Sequence, residues 1–230
     1  MTGKGIKAHI VPKAFYEISS QENGPHKLLS NIKGSFPKKL PVGFYDDTIV
    51  TNEGEDRFRE WDDYAARILI KEAKNLEEIR NDDELKAWIL PKYDYPLLKL
   101  FALSVLWRSH AAAHPAFSKV NLGPHEATIR NMLLNGDPGD TEQYSVHIVR
   151  WLSHGFGPVF MDPFREKYGE GVNYYCIYCG RYVLYVKVDK RRSIPEFHNL
   201  QLRASSELYL IARKLEKSKE WPIMQQIVRV

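Results

Sequence analysis

The sequence predicts an α+β protein, and three observations predict it. Apolar side chains occupy almost every position of the stretch from Tyr95 to Ala113, the mark of a helix buried on all sides. After Pro138 the pattern changes to a period of two, which is the spacing of strands. Ahead of both, a short alternation around His9, a Pro/Gly-rich stretch and an acidic helix start read as strand, loop and helix. The expected organisation is an N-terminal element over 1–75, followed over 76–230 by a helical middle and an antiparallel β-rich part. The two are expected to pack as one compact unit.

Taken in order, Ile6, Ala8 and Ile10 alternate with Lys7 and His9 in a short strand that Pro12 ends, and Ala14 to Ile18 suit one helical turn. Residues 19–42 are loop-like, broken by Gly24-Pro25, Gly34, Pro37 and Pro41. Phe44 to Val50 is a candidate strand. A helix from about Glu55 to Ala73 follows, with Glu53, Glu55 and Asp56 at its positive end and Phe58, Trp61, Ala65, Ile68 and Leu69 along one face. Asp82-Asp83-Glu84 looks like the start of a short helix through Ile89, which Pro91 stops. Another helix is expected from Gly123-Pro124, with Ile129, Met132 and Leu133 inward, closed by Asn135-Gly136-Asp137-Pro138-Gly139. Tyr144 to Val149 alternates, Pro158 to Met161 is a short apolar piece, and Asn173 to Val188 reads as two strands about a turn near Gly180. Leu208 to Ala212 reads as a further strand.

The chain of 230 residues, 43% hydrophobic and 27% charged, can bury a sizeable core without disulfides. Its two cysteines, Cys176 and Cys179, exclude a disulfide framework. No apolar run follows Met1, and the longest apolar stretch, Leu97 to Trp107, is interrupted by Lys99 and Ser104. No membrane span and a cytoplasmic location are therefore expected.

A net charge of +4 permits nucleic-acid binding without demanding it. Its distribution says more. Residues 1–40 carry seven lysines against two glutamates, a net of +5, whereas residues 41–63 carry eight acids against two arginines, a net of −6. A basic arm beside an acidic turn suits a metal site next to a phosphate backbone, while charge alone favours the plainer reading that the two segments pair with each other.

His9-Ile10-Val11-Pro12 resembles the Ser-His-Ile-Ile-Pro segment of HNH-type (ββα-metal) nucleases, with Ala8 where that family commonly has Ser or Asp. The stretch Ile49 to Glu55, then Phe58 and Trp61 to Ala65, is similar to the family's strand end and following helix. Thr51 and Gly54 stand at the positions of the zinc-binding cysteines. Looser similarity continues at Leu103 to Arg108, Val120 to Gly123 and Tyr182 to Lys190. The resemblance implies a metal-dependent nuclease, or an effector descended from one. His9 would be the general base, Asn52 an orienting residue, and Asp46, Asp47, Glu53 and Glu55 oxygen donors to magnesium or manganese. With the cysteines replaced, no structural zinc is expected. The alternative is an inactive module of the same ancestry that binds nucleic acid or protein. A protein partner or a homo-dimer is then the expected company. As an ordinary feature of folding, the acidic stretch is simply a favourable helix start, and His9 a strand-end residue.

Candidate phosphate contacts are Lys7, Lys13, Lys33, Lys38 and Lys39 in the basic arm, and Lys187, Arg191 and Arg192 at the end of the C-terminal hairpin. Lys190 and Arg203 lie near the latter group, with Tyr182 and Tyr185 as candidate stacking rings; the plain alternative is a solvated hairpin end. Cys176 and Cys179 invite a zinc completed by His147, His154 or His198, but strand alternation sets them on opposite faces. His110 and His114, one helical turn apart, lack an acidic third ligand.

Overall fold

The computed structural model describes residues 5–16, 27–29, 38–39, 43–152, 159–204, 207–222 and 225. Helices and a large, mostly antiparallel sheet make the fold α+β. In chain order the strands are β1 (Ala8–His9), β2 (Lys27–Leu29), β3 (Lys38–Lys39), β4 (Tyr45–Asp46), β5 (Glu77–Asn81), β6 (Glu84–Leu90) and β7 (Val146–Leu152). After them come β8 (Val159–Met161), β9 (Phe164–Tyr168), β10 (Val172–Cys179), β11 (Tyr182–Lys187) and β12 (Leu208–Lys214). The longer helices are α1 (Asn52–Ala66), α2 (Tyr95–Ala111) and α3 (Glu126–Asn135).

Seven strands form one sheet in the order β5-β6-β12-β7-β11-β10-β9. Every neighbouring pair is antiparallel except β12 and β7. Alternation along β10 and β11 divides their side chains between two apolar layers. Tyr175, Ile177, Cys179, Tyr182, Leu184 and Val186 face the helices. Tyr174, Cys176, Tyr178, Val183 and Tyr185 face the other way, against Ile194, Phe197 and Leu215. On that second face the Lys219 amine lies 4.9 Å from the Phe164 ring centre and 5.6 Å from that of Tyr185, and pairs with Glu166. Cation–π attraction and an ion pair thus pin the segment after β12 onto the sheet.

On the helical face α2 occupies the centre. Leu98, Phe101, Leu103, Val105 and Leu106 are all fully buried, which is why its apolar residues run all round it. Asp94 caps it, accepting a hydrogen bond from the Leu97 N–H at 2.9 Å. Helix α1 packs against α2 and continues through a π-helical turn (Arg67–Lys71) and a 3-10 turn (Glu72–Lys74), so helical chain does extend to the expected Ala73. Ala14–Tyr16 make a single helical turn that docks Phe15 onto Phe101, the ring centres 5.5 Å apart. The same turn meets the β10–β11 hairpin at Gly180. A Cβ there would come 2.6 Å from the Phe15 carbonyl oxygen, and φ is +61°, so glycine is required twice over.

Two sequence expectations are corrected. Asp82-Asp83-Glu84 does not start a helix; it turns the β5–β6 hairpin, with Asn81 opposite Glu84 and positive φ at both Asp82 (48°) and Asp83 (59°). An acidic cluster serves a helix N-terminus and a type I′ turn equally well, because Asp tolerates the left-handed region. Replacing Asp82-Asp83 by Asn-Gly is expected to raise stability by about 1 kcal/mol, read as a higher urea midpoint at unchanged slope. The strand expected over Phe44 to Val50 is only Tyr45–Asp46, paired with β1 in the register Ala8 to Asp46 and His9 to Tyr45; the chain bends from Asp47 onward. Strand β9 had no counterpart among the sequence expectations. Among the described residues no helix is long and apolar enough to cross a membrane.

Candidate functional site

The β1–β4 pair holds the residues around His9. Its backbone carbonyl accepts a hydrogen bond from Arg108 Nη1 at 2.9 Å, and its ring meets Tyr45 edge-on at 6.4 Å. Arg108, from α2, is fully buried and grips Asp62 of α1 through both guanidinium arms, at 2.9 and 2.7 Å. It also donates to the Ser104 hydroxyl and carbonyl and packs over Phe58. Burial pushes the Asp62 carboxyl up, and the Arg108 guanidinium works against that; His9 lies within electrostatic reach of the same carboxylate. Glu55, two turns earlier on α1, is raised by burial, eased by Arg108 and raised again by Asp62, and its Oε2 is buried without a hydrogen bond.

The expected metal donors do not gather here. Asp46 accepts from the Thr48 N–H (2.8 Å), the Thr48 hydroxyl (2.6 Å) and the Ala113 N–H (2.9 Å). Burial pushes its carboxyl up, but these hydrogen bonds outweigh it and hold the group below its ordinary value. Asp46 thereby ties the end of α2 to β4. Asp47 is exposed and shares a cleft of about 360 Å³ with Lys7, Tyr45, Thr48, Ala113 and His114. Within it the Lys7 amine sits 3.6 Å from the Tyr45 ring centre. Asn52 and Glu53 lie exposed at the start of α1, where Glu53 pairs with Arg57 at 3.4 Å. Among the described residues no three His, Cys, Asp or Glu side chains come close enough to hold a metal ion. Asp46 is engaged by Thr48 and Ala113, and Glu53 by Arg57, so Asp46, Asp47, Glu53 and Glu55 are not gathered as a donor set for magnesium or manganese. Cys176 and Cys179 are free thiols buried in opposite layers, both pushed up by burial.

No family model, curated protein or solved structure matches this chain.

A second concavity, of about 650 Å³, lies at the far end of β11. The first turn of α3 with the residues before it (Pro124, His125, Thr128) forms one wall; Asp140, Glu142 and Tyr144 form another; and Lys187 to Arg192 close it. Two of its three acids, Glu142 and Asp189, are paired with an internal cation, and the third, Asp140, accepts two backbone amides. Glu142 accepts from Lys187 Nζ (3.0 Å), the Ser193 N–H (2.9 Å) and Gln201 Nε2 (3.0 Å). Burial opposes these bonds and is outweighed, so the carboxyl is held down at about 2. Asp189 takes a bidentate grip from Arg191 (2.8 and 2.7 Å) and bonds from Asn173, which hold it well below the carboxylate range.

Two of the expected phosphate contacts are corrected by this network. Lys187 is buried, its amine spent on Glu142 and the Arg191 carbonyl. Arg191 is exposed, but besides Asp189 it binds the carbonyls of Glu170 and Gly171, fastening the β9–β10 turn. Tyr182 and Tyr185 lie in the interior and offer no stacking face. What stays available is Arg192, with Lys190 beside it. Both are exposed on the cleft and make no hydrogen bond or ion pair among the described residues. Of the basic arm, Lys13 is exposed and Lys38 and Lys39 form β3, while Lys33 and most of 19–42 lie outside the described residues.

The sequence expectations missed Asp62, Arg108, His125 and Tyr144. Arg108 was legible as one of two cations, with Lys99, in an otherwise apolar helix, where a buried charge demands a partner. Tyr144 holds φ at +51°, is nearly buried, and bonds His125 Nδ1 through its hydroxyl at 3.1 Å. No spacing in the sequence reveals that strain.

Proposed function

We propose that the chain is a nucleic-acid-binding module whose phosphate seat is the cleft at the end of β11. The observation that supports this reading is the pair of unengaged cations, Lys190 and Arg192, on a cleft whose acids are each satisfied by an internal cation or backbone amides. Such cations retain their attraction for an incoming phosphate, whereas paired ones would first have to break a bond. The first turn of α3 adds the positive end of a helix dipole to the same wall. The HNH-type resemblance of the first 75 residues agrees with a nucleic-acid partner.

A second reading, phosphodiester hydrolysis with His9 as general base, draws on the buried Asp62 carboxylate in electrostatic reach of that imidazole. One experiment separates the two. The protein and its His9→Ala variant are incubated with labelled single- and double-stranded DNA and with RNA, with and without magnesium or manganese. Binding by both proteins without cleavage, weakening steeply with salt, is the expected result. Metal-dependent cleavage that disappears in His9→Ala would replace the binding reading with the hydrolytic one.

A further inference from the structure

We infer that the cleft at the end of β11 takes a single unpaired nucleotide, its phosphate on Lys190 and Arg192 and its base along the His125 ring, which the buried Tyr144 backs. This rests on the reading that the cleft binds nucleic acid, and it names what part of a nucleic acid enters.

Three observations carry it. First, the cations belong to a recess and not to a ridge. Lys190 and Arg192 line the same concavity as Thr128 and Tyr144, and its 650 Å³ lies in the ~300–1,000 Å³ range of pockets that enclose a small ligand. A duplex carries its phosphates on the outside of a stiff cylinder with its bases turned inward. It can rest on a convex basic surface but cannot send one nucleotide into a recess without unpairing it.

Second, the walls differ in chemistry. The Lys190–Arg192 side is cationic. The wall at the start of α3 presents the His125 ring, half-buried, set edge-to-face with Tyr144 at 5.6 Å between ring centres. A group with a charged end and a flat aromatic end matches both; inorganic phosphate matches only one.

Third, the aromatic wall is held in place at a cost. Tyr144 keeps a left-handed backbone, which a bulky residue rarely adopts, and its hydroxyl is tied to His125. On the loop approaching Tyr144, Asp140 accepts hydrogen bonds from the Glu142 and Gln143 amides at 2.8 Å each, and Glu142 anchors β11 and the Ser193 segment. The recess is therefore preformed, and a nucleotide would not have to order it on entry.

The test uses the full chain and fluorescence anisotropy. A labelled single strand, its blunt duplex and a hairpin of the same sequence are compared, with adenosine monophosphate and inorganic phosphate as competitors. The single strand is expected to bind about tenfold more tightly than the duplex. The mononucleotide should displace it at lower concentration than phosphate does. Lys190→Ala with Arg192→Ala should weaken single-strand binding and reduce its salt slope by about 0.7, the value for one phosphate no longer neutralised. His125→Ala should bring single strand and duplex together without changing that slope, and His125→Phe, which keeps a ring, should restore the preference.

Equal binding of duplex and single strand, both dependent on Lys190 and Arg192, would overturn the unpaired nucleotide and leave the binding module standing. Absence of binding, or binding indifferent to Lys190 and Arg192, would overturn both.

Discussion

Replacing Arg108 by methionine is expected to destabilise the protein by about 3–5 kcal/mol, the usual consequence of removing one partner from a buried ion pair. The Arg108 side chain is fully buried and that of Asp62 is only 15% exposed. Methionine would leave a carboxylate with little water to replace two guanidinium bonds. It would also release the His9 carbonyl and the Ser104 hydroxyl, so β1, α1 and α2 lose their common anchor. The double replacement Arg108→Met/Asp62→Leu should recover most of the loss, because no charge is then stranded. Urea unfolding of the three proteins measures this. A loss under about 1 kcal/mol for Arg108→Met alone would show that water reaches Asp62, and the anchor would be a minor one.

Stability should fall steeply below neutral pH, with His147 a main cause. Its imidazole is buried on the second face of the sheet, stacked on Tyr185 at 4.7 Å and tilted against Phe197 at 4.4 Å. Burial, with Arg213 adding to it, pushes this group down to about 3. In the folded protein the ring therefore stays neutral, while in the unfolded chain it takes up a proton below its ordinary value of ~6.5. The unfolded state binds the extra proton, so stability is complete above ~6.5 and declines as pH falls toward 3. The slope approaches ~1.4 kcal/mol per pH unit, or about 3 kcal/mol between pH ~7 and ~4.5. Glu55, which burial raises, works in the opposite sense, but it is present in both proteins of the comparison. His147→Phe should keep the stack and flatten the profile by this amount. A variant whose profile parallels the parent's would remove His147 from the account.

Much of the fold was legible in the sequence because periodicity reports burial directly. α2 reads as buried all round since it is enclosed by α1, α3 and the sheet, and β10–β11 read as a hairpin because glycine at 180 punctuates two alternating runs. The Asp82–Asp83 hairpin was illegible as such, because local acidity does not distinguish a helix cap from a tight turn. The sites were less legible than the elements, for a different reason. A charged side chain acts through what it faces, and the faces are set by contacts far apart in sequence. Lys187 and Arg191 read in the sequence as one basic patch with Arg192, whereas in the fold Glu142 and Asp189 hold them. The family resemblance implies a metal donor at Asp46, whereas in the fold the Ala113 amide, 67 residues away, occupies it.

β12 sits between β6 and β7, with Leu208 opposite Leu90 on one side and Ile211 beside Val149 on the other. A ribosome delivers these pieces in the wrong order for assembly. While residues up to the start of β12 emerge, β5–β6 and β7–β11–β10–β9 are two sheets with bare facing edges, and β12, the last of the described strands, bridges them. Bare edges recruit other strands, so the newborn chain passes through a sticky interval that its finished form conceals. A stop or frameshift near residue 207 would thus remove the bridging strand together with the Lys219 segment, and leave a product with two open seams, disposed to clump with its siblings.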